Sequence, residues 1–114
     1  METSAIEPQF VNVGGRQRIQ PTHVVKLVAY INYTTVYLAN GESFIIARTI
    51  GKVQETLQPH GEFIRISKNL VVNLAYMRQQ TPNGIILKNN EIIDWSRRRK
   101  REVKKYLKKF IKTY

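Results

Sequence analysis

The chain has 114 residues and no cysteine, so we expect one domain with a modest core and no disulfide framework. Its net charge of +11 opposes a compact state through self-repulsion and indicates a polyanionic partner. The start of the chain lacks the apolar core of a signal peptide, and no apolar run approaches the roughly 20 residues that span a bilayer. These features predict a cytoplasmic protein and favour nucleic acid over an anionic membrane surface as the partner.

The first 22 residues carry glycines and prolines without a sustained period, and they are predicted to form an N-terminal arm. A short strand is expected around Phe10–Val13, and Arg16 and Arg18 are cations that could reach a phosphate backbone. The folded domain is therefore predicted over residues 23–114.

Residues 23–47 are dense in β-branched and aromatic side chains, which favour strands. A more polar stretch at Tyr30–Thr35 predicts a tight hairpin connection inside this segment. Asn40-Gly41 predicts a second hairpin before the returning strand Ser43–Ala47. We expect three consecutive antiparallel strands here.

The next segment changes to helical spacing. Ile50, Val53 and Leu57 recur at intervals that place them on one helix face, and Thr49 is suited to accept an amide proton as N-cap. Gln58–Gly61 contains Pro and Gly and is expected to end this helix.

The stretch Phe63–Met77 begins as a strand and is interrupted by the polar residues Ser67-Lys68-Asn69. The apolar run that follows ends at Asn73, and its spacing up to Met77 predicts a short helix after a Ser67 cap. Asn73 would then point outward at the helix end. Two interpretations of Asn73 stay open, a turn or cap residue and an amide that pairs with a base edge.

Beyond Met77, Arg78–Gly84 is predicted to be a polar connector, followed by strands at Ile85–Leu87 and Ile92–Ile93. The sheet is expected to end near Trp95, and a C-terminal helix follows. Asp94 or Ser96 is expected to cap that helix. Its apolar stripe is predicted to contain four residues: Val103, Leu107, Phe110 and Tyr114.

Catalytic chemistry has little support in this sequence. The two histidines, His23 and His60, stand at no metal-ligand spacing, and the acids are scattered rather than paired on one face. We expect neither an enzyme nor a cofactor, metal or small-molecule substrate.

Five consecutive cations, Arg97–Arg101, stand where the last strand passes into the C-terminal helix. Cations at a helix N-terminus oppose its dipole, so a functional demand would explain their position. Guanidinium groups suit both phosphates and the guanine edge, and this favours DNA contact by Arg97 and Arg98. The helix lysines are interpreted as a source of phosphate attraction without sequence preference. A basic amphipathic helix is also typical of membrane-surface anchors, but this apolar stripe has the size needed to dock on a small sheet.

Three motifs resemble the LytTR DNA-binding domains of bacterial response regulators. The first is the core phrase Phe63-Ile64-Arg65-Ile66-Ser67-Lys68-Asn69-Leu70-Val71-Val72-Asn73, and the second is Ser96-Arg97-Arg98 after the last strand. The third is Asn32-Tyr33-Thr34 before the second strand. The order and spacing of the motifs hold from about Val24 to Ile111. The sequence departs from the family pattern at Val28, where Glu is usual, and at Ile66 or Ser67, where His is frequent.

The resemblance implies a mainly β fold, an elongated stack of small antiparallel sheets with one or two short helices and a basic C-terminal helix. It also implies that loops rather than a recognition helix contact double-stranded DNA, at direct-repeat half-sites in promoters that become bent. A homodimer or paired monomers on such half-sites are possible. The residues before the domain are too few for a phospho-receiver, so we expect a stand-alone regulator or an excised domain. The implied DNA-binding residues are Asn32, Tyr33, Thr34, Lys68, Asn69, Asn73, Arg97, Arg98, Arg99 and Lys100.

A basic RNA-binding or ribosome-associated protein is the alternative, since it would share the size and charge. That alternative predicts aromatic side chains on an exposed sheet face for base stacking. Tyr30, Tyr33 and Tyr37 are the residues that could serve.

Overall fold

The computed structural model describes residues 10–111, with side chains described through Lys109. Strands and helices in this part form three antiparallel sheets and two α-helices. The strands are β1 (Val11–Gly14), β2 (Gln17–Ile19), β3 (Val24–Tyr30), β4 (Tyr33–Leu38), β5 (Ser43–Ile46), β6 (Phe63–Ser67), β7 (Leu70–Asn73), β8 (Met77–Thr81), β9 (Gly84–Leu87) and β10 (Ile92–Asp94). The helices are α1 (Ile50–Leu57) and α2 (Lys100–Ile111). The predicted mainly β fold of small antiparallel sheets with a basic C-terminal helix is confirmed.

The central sheet has five strands in the order β5-β4-β3-β7-β6. Its connections follow the predicted turns, because β3 and β4 pair up to Tyr30 and Tyr33 and the β4–β5 hairpin contains Gly41 at φ 92°. One face of this sheet packs on α1, which buries Ile50, Val53 and Leu57 as the helical spacing predicted. Thr49 occupies the N-cap position of α1, although its side chain makes no cap hydrogen bond.

The other face of the central sheet carries a second core on the β6–β7 side. There the three-stranded sheet, in the order β10-β9-β8, and helix α2 form a second core with Ile64, Ile66 and Val72. Val103 and Leu107 of the predicted α2 stripe are buried in this core. The other two residues predicted for the stripe, Phe110 and Tyr114, lie outside the described side chains.

The predicted helix over residues 70–77 is wrong. Leu70–Asn73 forms strand β7, which pairs with β3 and β6, and a single 3-10 turn follows at Leu74–Tyr76. The apolar run lacks an alternating pattern because both faces of β7 are buried, with Val71 in the α1 core and Val72 in the α2 core.

Two further segments differ from the prediction. The polar connector expected at Arg78–Gly84 contains edge strand β8, whose Arg78, Gln79 and Gln80 are exposed, as suits an edge strand in water. The described part of the expected N-terminal arm is the β1–β2 hairpin, which buries Val13 and Ile19 in the α1 core. The first strand was predicted, but its return strand was not.

Candidate nucleic-acid interface

One end of the central sheet brings two of the predicted polar segments together. The β3–β4 turn at Ile31-Asn32 and the β6–β7 turn at Lys68-Asn69 lie at this end, because β3 and β6 both run towards it. The N–H of Ala29 donates to the carbonyl of Asn69 at 2.8 Å, so the two turns are direct neighbours. We call this the turn end of the sheet.

The Ser96–Arg99 turn joins the turn end through a backbone contact. The N–H of Ser96 donates to the carbonyl of Ile66 at 3.2 Å, which places the turn beside the end of β6. The hydroxyl of Ser96 accepts from the N–H of Arg99 at 3.2 Å, and this contact shapes the turn just before α2 begins at Lys100. Neither predicted cap is a cap of α2, because the Ser96 contact lies in the turn before the helix and Asp94 belongs to β10.

Arg65 fixes the position of the β6–β7 turn. Its Nη2 donates to the carbonyl of Lys68 at 2.6 Å, which leaves the Lys68 side chain exposed to solvent. Burial lowers the pKa of Arg65 below its ordinary value, and repulsion from the Arg99 guanidinium adds to that shift. Arg65 and Arg99 are therefore close enough for their charges to interact, although the sequence places them far apart.

The β3–β4 turn is a strained connection. Ile31 has φ 56°, a left-handed conformation that is rare for a β-branched residue, and its side chain is 75% exposed. The next residue, Asn32, is exposed as well. Unusual backbone conformations of this kind are concentrated at functional sites, and this one projects an apolar and an amide side chain from the turn end.

Two predicted contact residues are wrong in their placement. Asn73 is buried and lies at the opposite end of β7, about 13 Å of strand rise away from Asn69. Its Nδ2 donates to the carbonyl of Val24 at 2.8 Å, and its Oδ1 accepts from the N–H of Ala75 at 3.0 Å. Both functional groups of the amide are used inside the fold, so the cap interpretation of Asn73 replaces the base-edge interpretation.

Thr34 is the second predicted contact residue whose placement differs from the prediction. It lies within β4 rather than at the hairpin tip, and its side chain is fully buried because it points towards the α1 core. Its hydroxyl donates to the carbonyl of Arg48 at 2.7 Å, which ties the β5–α1 connection to β4. Thr34 therefore supports the turn end from within.

The remaining predicted residues are accessible. Tyr33 lies on the outer face of β4 and Arg99 is half-buried, while the others are exposed: Asn32, Lys68, Asn69, Arg97, Arg98 and Lys100. The structure thus gathers eight of the ten predicted residues at or next to the turn end.

Arg48 is a further cation at the turn end, and it is not among the residues predicted from the sequence. It follows β5 and is exposed, and its side chain crosses Gly14, where an added Cβ would lie 2.9 Å from Arg48 Cδ. The available signal was a cation between a predicted strand and a predicted helix. That signal is weak, since surface arginines in such connections are common.

Two negative findings apply to residues 10–111. Within that range, no helix is long and apolar enough to cross a membrane. The same residues contain no group of three or more His, Cys, Asp or Glu side chains that could hold a metal ion.

Fold and site together describe a small basic β domain with a row of turns at one end of its central sheet. The family model of the LytTr DNA-binding domain matches residues 15–108. The chain therefore belongs to the LytTR family of DNA-binding domains, and DNA is its partner.

A solved structure agrees with this assignment. A LytTr DNA-binding domain of a Bacillus cereus response regulator superposes with a TM-score of 0.70 at 17% sequence identity. The match covers 90% of this chain and 98% of that domain. At that identity the likeness concerns the fold. No curated protein matches the chain.

Proposed function

We propose that this protein is a sequence-specific regulator of transcription that binds double-stranded DNA through the turn end. The observation that carries the proposal is the convergence of three turns, Ile31-Asn32, Lys68-Asn69 and Ser96–Arg99, which backbone hydrogen bonds hold side by side. Amide, ammonium and guanidinium groups meet there, and these are the groups that read base edges and bind phosphates.

The dimensions of the turn end fit a duplex. The β6–β7 turn, the β3–β4 turn and the β5–α1 connection span the width of a five-stranded sheet, which at the usual strand spacing is about 19 Å. The major groove of B-DNA is about 12 Å wide. The central turns can therefore enter the groove while cations at the two sides of the row meet the flanking phosphates.

The cations divide into two roles in this proposal. Arg97 and Arg98 are exposed at a turn that is fixed by three hydrogen bonds of Ser96, so their guanidinium groups approach DNA from a defined position. A bidentate guanine contact from such a position would supply about 1–3 kcal/mol of discrimination. The exposed lysines of α2 supply salt-sensitive phosphate attraction without sequence preference: Lys100, Lys104, Lys105, Lys108 and Lys109.

We further propose that two copies bind direct-repeat half-sites and bend the DNA between them, either as paired monomers or as a homodimer. A single turn end covers only one groove face, so two copies would be needed to raise the specificity of a promoter site. In this proposal the protein acts in the cytoplasm, without a cofactor, and is not an enzyme.

Selection of bound duplexes from a random pool tests the proposal. We expect an enriched motif that occurs twice in the same orientation at a fixed spacing. Recovery of sequences without an enriched motif at moderate salt would contradict base readout, although it would leave phosphate binding intact. Gel-based bending assays on the selected sites would test the bend separately.

A second candidate function has one observation in its favour. Tyr30, Tyr33 and Tyr37 share the outer face of β3 and β4, and Tyr30 is 72% exposed. Exposed aromatic side chains on a sheet can stack unpaired bases, so single-stranded RNA is the competing ligand.

Competition between a duplex and a single-stranded RNA separates the two functions. The duplex proposal predicts that excess RNA displaces little of the selected duplex and that Tyr37→Ala leaves duplex affinity within about twofold. Preferential binding of RNA that Tyr37→Ala abolishes would favour the second function.

A further inference from the structure

A cleft of about 570 Å³ lies along edge strand β6, with α1 on one side and α2 on the other. Its walls carry four cations and one carboxylate, from Arg65, Arg99, Lys105, Lys109 and Glu102. Phe63, Ile64 and Tyr106 also line the cleft, and of these three only Tyr106 is partly exposed. The volume lies inside the roughly 300–1,000 Å³ range of small-molecule sites.

Arg65 presents an unused donor beside this cleft. Its Nη2 is bonded to the Lys68 carbonyl at 2.6 Å, whereas its Nε is buried without a hydrogen-bond partner. A buried donor without a partner is costly, and in native proteins it usually has an explanation in an ion, a water or a ligand. A rotation of the side chain would be needed for Nε to meet an oxyanion in the cleft, because the atom itself is buried.

The charges around Arg65 point to an anion. Arg99 adds a like charge that disfavours the Arg65 cation, and Glu102 offsets it only through an exposed contact of 3.6 Å to Arg99 Nη1. The nearby Glu62 is engaged by the Tyr106 hydroxyl. An oxyanion between the two arginines would relieve their repulsion and satisfy Arg65 Nε through a charge-assisted hydrogen bond.

The apolar part of the cleft indicates that the ligand is more than an inorganic ion. Phe63 and Ile64 line the cleft from β6 but are buried, whereas the half-buried Tyr106 ring on α2 presents apolar surface to it. A bound phosphate alone would leave the Tyr106 ring in contact with water, whereas an attached apolar group would cover it.

We propose that the cleft between α1 and α2 binds a small organic anion, with its carboxylate or phosphate held by Arg65 and Arg99 and its apolar body against the Tyr106 ring. This inference goes beyond the proposed function and does not depend on it. Lys105 and Lys109 provide further attraction at the mouth of the cleft.

Side-chain NMR of the full chain tests the site directly, because each arginine Nε–H gives its own signal. The probes are phenyl phosphate, benzoate, inorganic phosphate and the neutral benzyl alcohol at constant ionic strength. We expect phenyl phosphate, benzoate or both to shift the Arg65 Nε–H and Tyr106 ring signals saturably. Whichever of these two aromatic anions binds more tightly should bind at least about threefold more tightly than inorganic phosphate. The neutral benzyl alcohol should leave the Arg65 Nε–H signal unchanged. The two aromatic probes distinguish a phosphate ligand from a carboxylate ligand.

Two variants provide a matched comparison on the same helix. Lys105→Gln removes a cation from the cleft wall, whereas Lys104→Gln removes an exposed cation that does not line the cleft. We expect Lys105→Gln to weaken binding of the tighter aromatic anion by about two- to fivefold, the range of partly exposed ion pairs, and Lys104→Gln to have less effect.

Several results would overturn the proposal. Equal affinity for inorganic phosphate and the aromatic anions would mean an adventitious ion only, and non-saturable shifts would mean no site. Equal losses in the two variants would assign the attraction to the overall charge of α2. If duplex DNA shifts Arg65 Nε–H and none of the small anions does, the cleft serves a DNA phosphate instead.

Discussion

The N–H of Ser96 donates to the carbonyl of Ile66 at 3.2 Å, and this bond joins the Ser96–Arg99 turn to the end of β6. Because of it, the turn that carries Arg97 and Arg98 is held beside the end of β6. Arg65 supports the neighbouring β6–β7 turn through the Lys68 carbonyl. The proposed interface therefore depends on backbone carbonyls of one edge strand and its turn.

Replacing Arg98 with Ala is expected to weaken binding to a selected duplex about tenfold or more, since a bidentate base contact is worth about 1–3 kcal/mol. Lys108→Ala, in an exposed position on α2, should weaken specific and non-specific duplexes equally and by less. Fluorescence anisotropy with both duplexes at two salt concentrations measures the difference. Equal, sequence-independent losses in the two variants would count against base contact by Arg98.

Asn73→Ala is expected to reduce stability rather than DNA recognition. The variant leaves the buried Val24 carbonyl and the part-buried Ala75 N–H without their partner, which costs about 1–3 kcal/mol. Urea unfolding measures this loss, with the exposed Asn69→Ala as the control that should change stability by less than about 0.5 kcal/mol. A stable Asn73→Ala variant with greatly weakened DNA affinity would restore the base-edge interpretation.

Gly84 tolerates no side chain. A Cβ at this position would lie 1.9 Å from the Ile93 carbonyl oxygen on the paired strand β10, so one strand must move. We expect Gly84→Ala to cost about 1–3 kcal/mol or more. In the control Gly51→Ala, the nearest atom to the new Cβ is 3.9 Å away and the position is helical, so a gain of about 0.5–1 kcal/mol is expected. Similar unfolding midpoints for the two variants would contradict this packing.

Stability at high pH should depend on Tyr106. Burial raises its pKa to about 12 from an ordinary 10, and the hydrogen bond to Glu62 adds to the shift. The folded state therefore holds the phenol proton more tightly, so the stabilisation is complete below pH 10 and is lost as pH rises towards about 12. Urea unfolding at several pH values should show a shallower decline above pH 10 for Tyr106→Phe than for the unchanged protein. Identical slopes would contradict the raised pKa.

The sequence predicts much of the fold because most elements carry local signals. The helical spacing of Ile50, Val53 and Leu57 and the Asn40-Gly41 turn each act over a few residues, and both predictions are confirmed. Strand β7 was misread as a helix because burial on both faces removes the alternation that identifies a strand. The sequence does not identify strand β8, because this edge strand faces water and its side chains are polar.

The site residues that could be predicted are likewise those whose signal comes from their sequence neighbours. The exposed turn at Lys68-Asn69 interrupts an apolar pattern, and the cations at Arg97-Arg98 form an obvious run, so both could be nominated from the sequence. The buried contacts of Asn73 and Thr34 could not, since their partners Val24 and Arg48 lie 49 and 14 residues away. An asparagine after Val-Val looks the same in a sequence whether it faces a base or a backbone carbonyl.

Amide NMR of the labelled protein with a selected duplex tests the central claim most directly. The account predicts shifts concentrated at Ile31-Asn32, Lys68-Asn69 and Ser96–Arg99. Little change is predicted at Asn73 and at the Asn40-Gly41 hairpin, both at the opposite end of the sheet. Shifts centred on that opposite end, or on the outer face at Tyr37 and Ile45, would contradict it.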